Sequence, residues 1–202
     1  MATSKSTGRR RDTADTRRRL IAATTELLID QGFAATTTRA IATAADCNQG
    51  LISYHFGGLN PLLLEVLDAS SGPRLAAYHS ALDSARGIRA VKSLGRTLHA
   101  EDQETGHTKI LAELVTGGLM DRDLGREVAA RVEPWLEVAE KAVRQAVPTV
   151  AVRRLPVREA AYAIIALFLG LEMLGSLSGD RSRGHQVVER LASKWVGRRH
   201  EE

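Results

Sequence analysis

Residues 38–56 read TRAIATAADCNQGLISYHF, and this stretch decides the fold. Its apolar residues fall at Ile41, Ala42, Ala45, Cys47, Ile52 and Phe56, which marks one helical face, a turn, and a second helical face. Two short helices packed at a steep angle need that arrangement, with anchors on each and a small residue where the backbones approach. Ile41 and Ala45 face inward from the first helix, Ala42 is the small contact, Cys47 fills the turn, and Ile52 with Phe56 anchors the second. The pattern predicts a helix-turn-helix, with helices over Thr38 to Ala45 and Gln49 to His55. Thr36, Thr37 and Thr38 offer caps for the first helix and Asn48 for the second.

Once the anchors are buried, Gln49, Gly50, Ser53 and Tyr54 remain on the opposite side, where a helix lying in a major groove presents side chains to DNA. Gln49 suits a paired hydrogen bond to adenine, Gly50 permits close backbone approach, Ser53 bonds either base type, and Leu51 meets a thymine methyl. Tyr54 and His55 are placed for phosphates, as are Thr38 and Arg39 at the start of the first helix; Asn48 completes the expected contact set. The plain structural alternative is an Ala-rich helical hairpin with no partner.

Outward from the motif, residues 1–19 carry Lys5, Arg9, Arg10, Arg11, Arg17, Arg18 and Arg19 against only Asp12 and Asp15. Residues 1–12 read as a basic disordered arm, either a solvated tail or an arm that lies on phosphates or enters a minor groove through Arg10 and Arg11. Leu20, Ala23, Leu27 and Leu28 then recur at helical spacing up to Gly32, predicting a helix from about Thr13 to Gln31. The DNA-binding domain is expected over 13–58, with an effector-binding and dimerisation domain over 59–202.

That second region reads as helices beginning at Pro61, near Arg74 to Ala85, Ile88 to Ala100, Thr108 to Leu119, Leu124 to Val147, Pro156 to Leu177 and Gly184 to Val196. Gly72-Pro73 is expected to kink or interrupt the first of these, and Pro134 to bend the long one. No segment sustains period-two alternation, so the fold class is all-α, a three-helix N-terminal domain plus a C-terminal helical domain.

Composition excludes several classes. A single cysteine, Cys47, rules out an intramolecular disulfide framework and suits a reducing, cytoplasmic setting. The longest apolar run, Ala160 to Leu171, is shorter than the roughly 20 residues of a membrane span, which points to a buried helix and no membrane partner. No two-histidine metalloprotease motif and no glycine-rich phosphate loop is present, so no catalytic residue, metal or cofactor is expected. His99, Asp102 and His107 are read as exposed loop residues rather than metal ligands.

The stretch from Arg19 through Leu63 resembles the TetR family of one-component transcriptional regulators. The marks are Ala22-Ala23, Gly32-Phe33, Thr38, Ile41-Ala42, Ala45, Gly50 and Tyr54-His55-Phe56, followed by Gly57 and Leu62-Leu63. Three positions depart from the usual pattern: Asp46 stands for a glycine, Ser53 for an aromatic residue, and Leu59 for a lysine or other polar residue. Asp46 is compatible with a left-handed turn, whereas Ser53 and Leu59 each remove a contact near DNA.

The resemblance implies a repressor that binds a palindromic double-stranded operator and leaves it when a small-molecule effector binds. It also implies a homodimer formed through Pro156 to Leu177 and Gly184 to Val196. Ala163, Ala166 and Gly170 on one of these helices, and Val188, Leu191, Ala192 and Trp195 on the other, form faces suited to helix packing. Tyr78, His99, Glu113, Trp135, Phe168, Glu172 and Met173 lie on helices that line the effector cavity in that family. The competing reading is a helical ligand-binding or scaffold protein without sequence-specific DNA binding, favoured only by Ser53 and Leu59.

Overall fold

The computed structural model describes residues 4–84, 87–91, 93, 105–147 and 155–178, with side chains from residue 13 onward. Helices dominate, and no strand occurs among the described residues. The first, α1, spans Ser4–Gln31, nine residues earlier than the apolar periodicity indicates. The segment read as a disordered arm is thus helical from Ser4. It contains no proline, and a helix once nucleated gains one hydrogen bond per added residue. Its inward face is as expected: Leu20, Ala23, Leu27 and Leu28 are buried. Gly32 ends it at φ +81°, a conformation natural to glycine, with its N–H on the Leu27 carbonyl at 3.1 Å.

A 3-10 turn, Phe33–Ala35, leads to α2, Thr38–Ala44, and α3, Gly50–Phe56. The next helix, α4, spans Leu59–Ser84 and runs through Pro73 without the interruption expected there. Then come a short helical stretch at 87–91, α5 at His107–Met120, α6 at Arg122–Ala146 with Pro134 inside it, and α7 at Val157–Ser178. His99 and the expected helix Gly184 to Val196 lie outside the described residues.

The chain divides into two compact units, one of Met1–Gly72 with Glu113–Ala130, the other of Pro73–Ala112 with Arg131–Glu202. The first unit, the head, buries Leu20 and Leu28 of α1, Ile41 of α2, Ile52 of α3, Leu62, Leu63 and Val66 of α4, and Leu114, Leu124 and Val128 from the later segment. Within it, Gly117 of α5 lies against the Phe33 ring: a Cβ there would sit 2.3 Å from Phe33 Cε2. Asp121 opens α6, its Oδ1 accepting the N–H groups of Asp123 and Leu124 at 2.9 and 3.1 Å and its Oδ2 the Asn60 amide at 2.7 Å. The Asn60 bond, above all, holds this carboxyl below the ordinary aspartate value of 3.8.

In the second unit, the Lys141 ammonium of α6 meets Asp83 of α4, and the Arg158 guanidinium of α7 reaches Glu133 and Glu140 of α6. The run Ala160 to Leu171, read as a buried helix, is helical but largely uncovered within this chain. In α7 only Val157, Ala161 and Gly175 are buried, while Tyr162, Leu174 and Leu177 are 66%, 64% and 85% exposed. By length and composition α7 is also long and apolar enough to cross a membrane, because its 22 residues extend the apolar run on both sides.

Candidate nucleic-acid interface

Local chemistry sets the two short helices of the head. The Thr37 hydroxyl accepts the Ala40 N–H at 3.2 Å and caps α2. At its other end the Cys47 N–H bonds the Ala42 carbonyl at 3.0 Å and the Asp46 N–H the Thr43 carbonyl at 3.2 Å, a Schellman closure. That closure needs a left-handed residue, and Asp46 supplies it at φ 48° in place of glycine. Arg19 adds its guanidinium to the Asp46 carbonyl at 3.3 Å. Asn48 Oδ1 then accepts the Gly50 N–H at 2.8 Å at the start of α3, where Gln49 holds the N-cap position without a side-chain cap bond.

Ile41, Ala42, Ala45 and Ile52 are buried, and Cys47 and Phe56 half-buried, so all six anchors face the protein. Asn48, Gln49, Gly50, Ser53 and Tyr54 are all exposed, Tyr54 at 72%. Arg39 is at the surface too, whereas Thr38, Leu51 and His55 are partly covered. Across the turn, Gln49 Nε2 donates to Thr38 Oγ1 at 2.7 Å, joining two of the expected DNA contacts. The face from Asn48 to Tyr54 therefore stands open on a helix whose other side is pinned. The side chains of Arg10 and Arg11 lie outside the described residues.

Arg17 has a role that sequence reasoning misses. Its guanidinium donates to the His55 carbonyl at 3.1 Å and to the Glu65 carboxylate of α4, and lies 4.5 Å over the Phe56 ring. One arginine thus ties the end of α3 to α1 and α4. Its position carries the signal: Arg17 is three residues before Leu20 and next to Thr16, both buried on the inward face of α1. Arg17 and Arg19 serve the protein's own helices, and Arg18 pairs with Asp15 at 2.9 Å.

The expected effector residues separate. In the second unit Trp135 is buried, with Tyr78 edge-on at 5.5 Å and His107 stacked at 4.9 Å. His107, read as an exposed loop residue, instead opens α5 and is buried beneath the indole, a pairing no local spacing reveals. Glu113 lies in the head, where Oε2 accepts the Phe33 N–H at 2.8 Å. On α7, Glu172 is half-buried while Phe168 and Met173 are exposed. No cluster of side chains suited to a metal ion occurs among the described residues.

Residues 20–66 match the family model for bacterial regulatory proteins of the tetR family. No match was found among curated protein sequences. Solved structures do resemble the chain. A TetR-family transcriptional regulator from Cytophaga hutchinsonii aligns at 15% identity over 92% of this chain and 96% of its own, with a TM-score of 0.69. A TetR-family member from Streptomyces coelicolor A3 aligns at 26% identity over 87% and 97%, with a TM-score of 0.60. The multidrug binding protein EbrR, solved in complex with imidazole, aligns at 24% identity over 87% and 88%, with a TM-score of 0.57. Residues 20–66 are thus a tetR-family DNA-binding domain, and the chain has the fold of tetR-family transcription regulators.

Proposed function

We propose that the protein is a homodimeric repressor that reads a palindromic operator with α3 and releases it when a small molecule binds the second unit. The observation that carries this reading is the division of residues 38–56 into a pinned side and an open side, Ile41, Ala42, Ala45 and Ile52 buried against the surface residues Gln49, Ser53 and Tyr54. Gln49, Gly50, Leu51 and Ser53 address base edges, while Thr38, Arg39, Asn48, Tyr54, His55, Arg10 and Arg11 address the backbone.

One recognition helix reads too few base pairs for selectivity, and a two-fold pair spaced about 34 Å apart reads two half-sites. The exposed apolar residues of α7, Tyr162, Leu174 and Leu177 among them, support pairing of two chains through that helix. Tyr78, Trp135 and His107 form a largely buried aromatic cluster against which an effector would pack, and the imidazole complex of EbrR supports ligand binding in this fold. The effector acts by population shift, binding the DNA-free conformation better and lowering operator affinity by the same coupling factor. A cytoplasmic setting follows from a chromosomal target.

Selection of duplexes from a random pool, followed by anisotropy titration at several salt concentrations, tests the reading. A palindromic consensus bound by two chains is expected, with log K falling steeply against log salt. Binding that is indifferent to sequence would contradict it.

A further inference from the structure

Thr38 and Gln49 lie on opposite sides of the turn, yet Gln49 Nε2 donates to Thr38 Oγ1 at 2.7 Å. A glutamine amide has two N–H hydrogens and one carbonyl oxygen. One hydrogen is committed to Thr38, which leaves one donor and one acceptor for a base. Adenine in the major groove presents an acceptor at N7 and a donor at N6, which that pair matches. Guanine presents two acceptors, N7 and O6, and an amide with both hydrogens free meets both by donation.

We propose that Thr38 is a positioning residue that makes Gln49 selective for adenine over guanine. The proposal rests on the reading of α3 as the base-reading helix and assigns Thr38 a task beyond touching phosphate. By accepting from Nε2, the Thr38 hydroxyl fixes the amide's orientation and withdraws the hydrogen that guanine needs. Its own hydrogen stays available for an outward acceptor. In water an exposed bond of this kind is weak, because solvent competes for both groups. In a groove that excludes water the competition ends, and the bond strengthens. Thr37, not Thr38, caps α2, so removal of the Thr38 hydroxyl leaves the helix start intact.

The test uses the full-length protein with duplexes selected from a random pool by the wild type. Gln49→Ala identifies the base position read by Gln49. At that position, affinities for A and G are compared in the wild type, Thr38→Val, Thr38→Ala and Thr38→Ser, with circular dichroism melting as the control for folding. The wild type is expected to favour adenine by about 10-fold or more, the worth of a paired contact. Thr38→Val and Thr38→Ala are expected to bring the ratio to within about 3-fold of unity, and Thr38→Ser to restore it. An unchanged A-to-G ratio in Thr38→Val and Thr38→Ala, even with affinity lowered evenly on all sequences, overturns the proposal and leaves Thr38 as a phosphate contact. If Gln49→Ala changes preference at no position, the assignment of Gln49 itself fails, and the proposal with it.

Discussion

Ile52 and Tyr54 are two residues apart on α3, and their burial gives them opposite tasks. Ile52 is fully buried, and its truncation to alanine removes three carbons. At about 0.8 kcal/mol per buried carbon the transfer loss is about 2.4 kcal/mol, and the cavity left by incomplete collapse brings the cost to about 3–4 kcal/mol. Tyr54 is 72% exposed, so Tyr54→Ala is expected to change stability by less than about 0.5 kcal/mol. Urea unfolding followed by far-ultraviolet circular dichroism separates the two. With a slope of about 2 kcal/mol/M, Ile52→Ala lowers the midpoint of the head transition by about 1.5–2 M, and Tyr54→Ala leaves it in place. Operator affinity is expected to follow the reverse order under conditions where both variants are folded: on the proposed reading Tyr54→Ala removes a hydroxyl placed for the DNA backbone, whereas Ile52→Ala keeps every residue proposed to face DNA. Equal midpoint shifts, or a larger shift for Tyr54→Ala, would refute the division of α3 into a pinned and a reading side.

Other expectations follow from the same geometry. Arg10→Ala with Arg11→Ala should weaken binding to all duplexes alike and make the salt slope shallower by about 1 for each phosphate no longer neutralised, without altering the selected consensus. Glu113→Ala leaves the Phe33 N–H without its 2.8 Å acceptor and should cost the head about 1–3 kcal/mol in chemical denaturation. Gly117→Val places its Cβ into the Phe33 ring, which sits 2.3 Å from that point, and should lower the melting temperature of the head more than Gly72→Ala, whose Cβ meets no atom within 4 Å on helical backbone. Asp121 is bound in its charged form, so its folded pKa lies below the unfolded 3.8. Its contribution is complete above that value and is lost as pH falls through the lower folded one. Asp121→Asn should therefore be less stable than the wild type at pH 7, with the gap closing in acid below about pH 4.

The helix-turn-helix was legible because packing two short helices restricts six positions so tightly that Ile41, Ala42, Ala45, Cys47, Ile52 and Phe56 declare it. Even the departure at Asp46 was interpretable, since the short polar side chain tolerates the left-handed conformation found there. Long-range partners left no such trace. Glu113 and Gly117 stand about 80 residues from Phe33 in sequence, so their part in the head is set by tertiary packing alone. Arg17 left a faint trace, its place beside Thr16 and before Leu20 on the inward face of α1, which a charge tally passes over because it does not distinguish a clamp on Glu65 and Phe56 from a phosphate contact. For α7, apolar spacing marks a helix that packs, but does not say whether its partner lies in the same chain. Pro73 misled in the other direction: the absence of one N–H was outweighed by the rest of a 26-residue helix.

The most direct measurement places a benzophenone photo-crosslinking residue at Ser53, in the middle of the open face of α3, and maps its attachment on the selected operator. An α3 that reads the major groove predicts crosslinks to bases there at two symmetric positions about 10 base pairs apart. Crosslinks formed equally on an unrelated duplex, or none from Ser53 while the same residue at the exposed Met120 of α5 reacts, would contradict α3 as the reading helix.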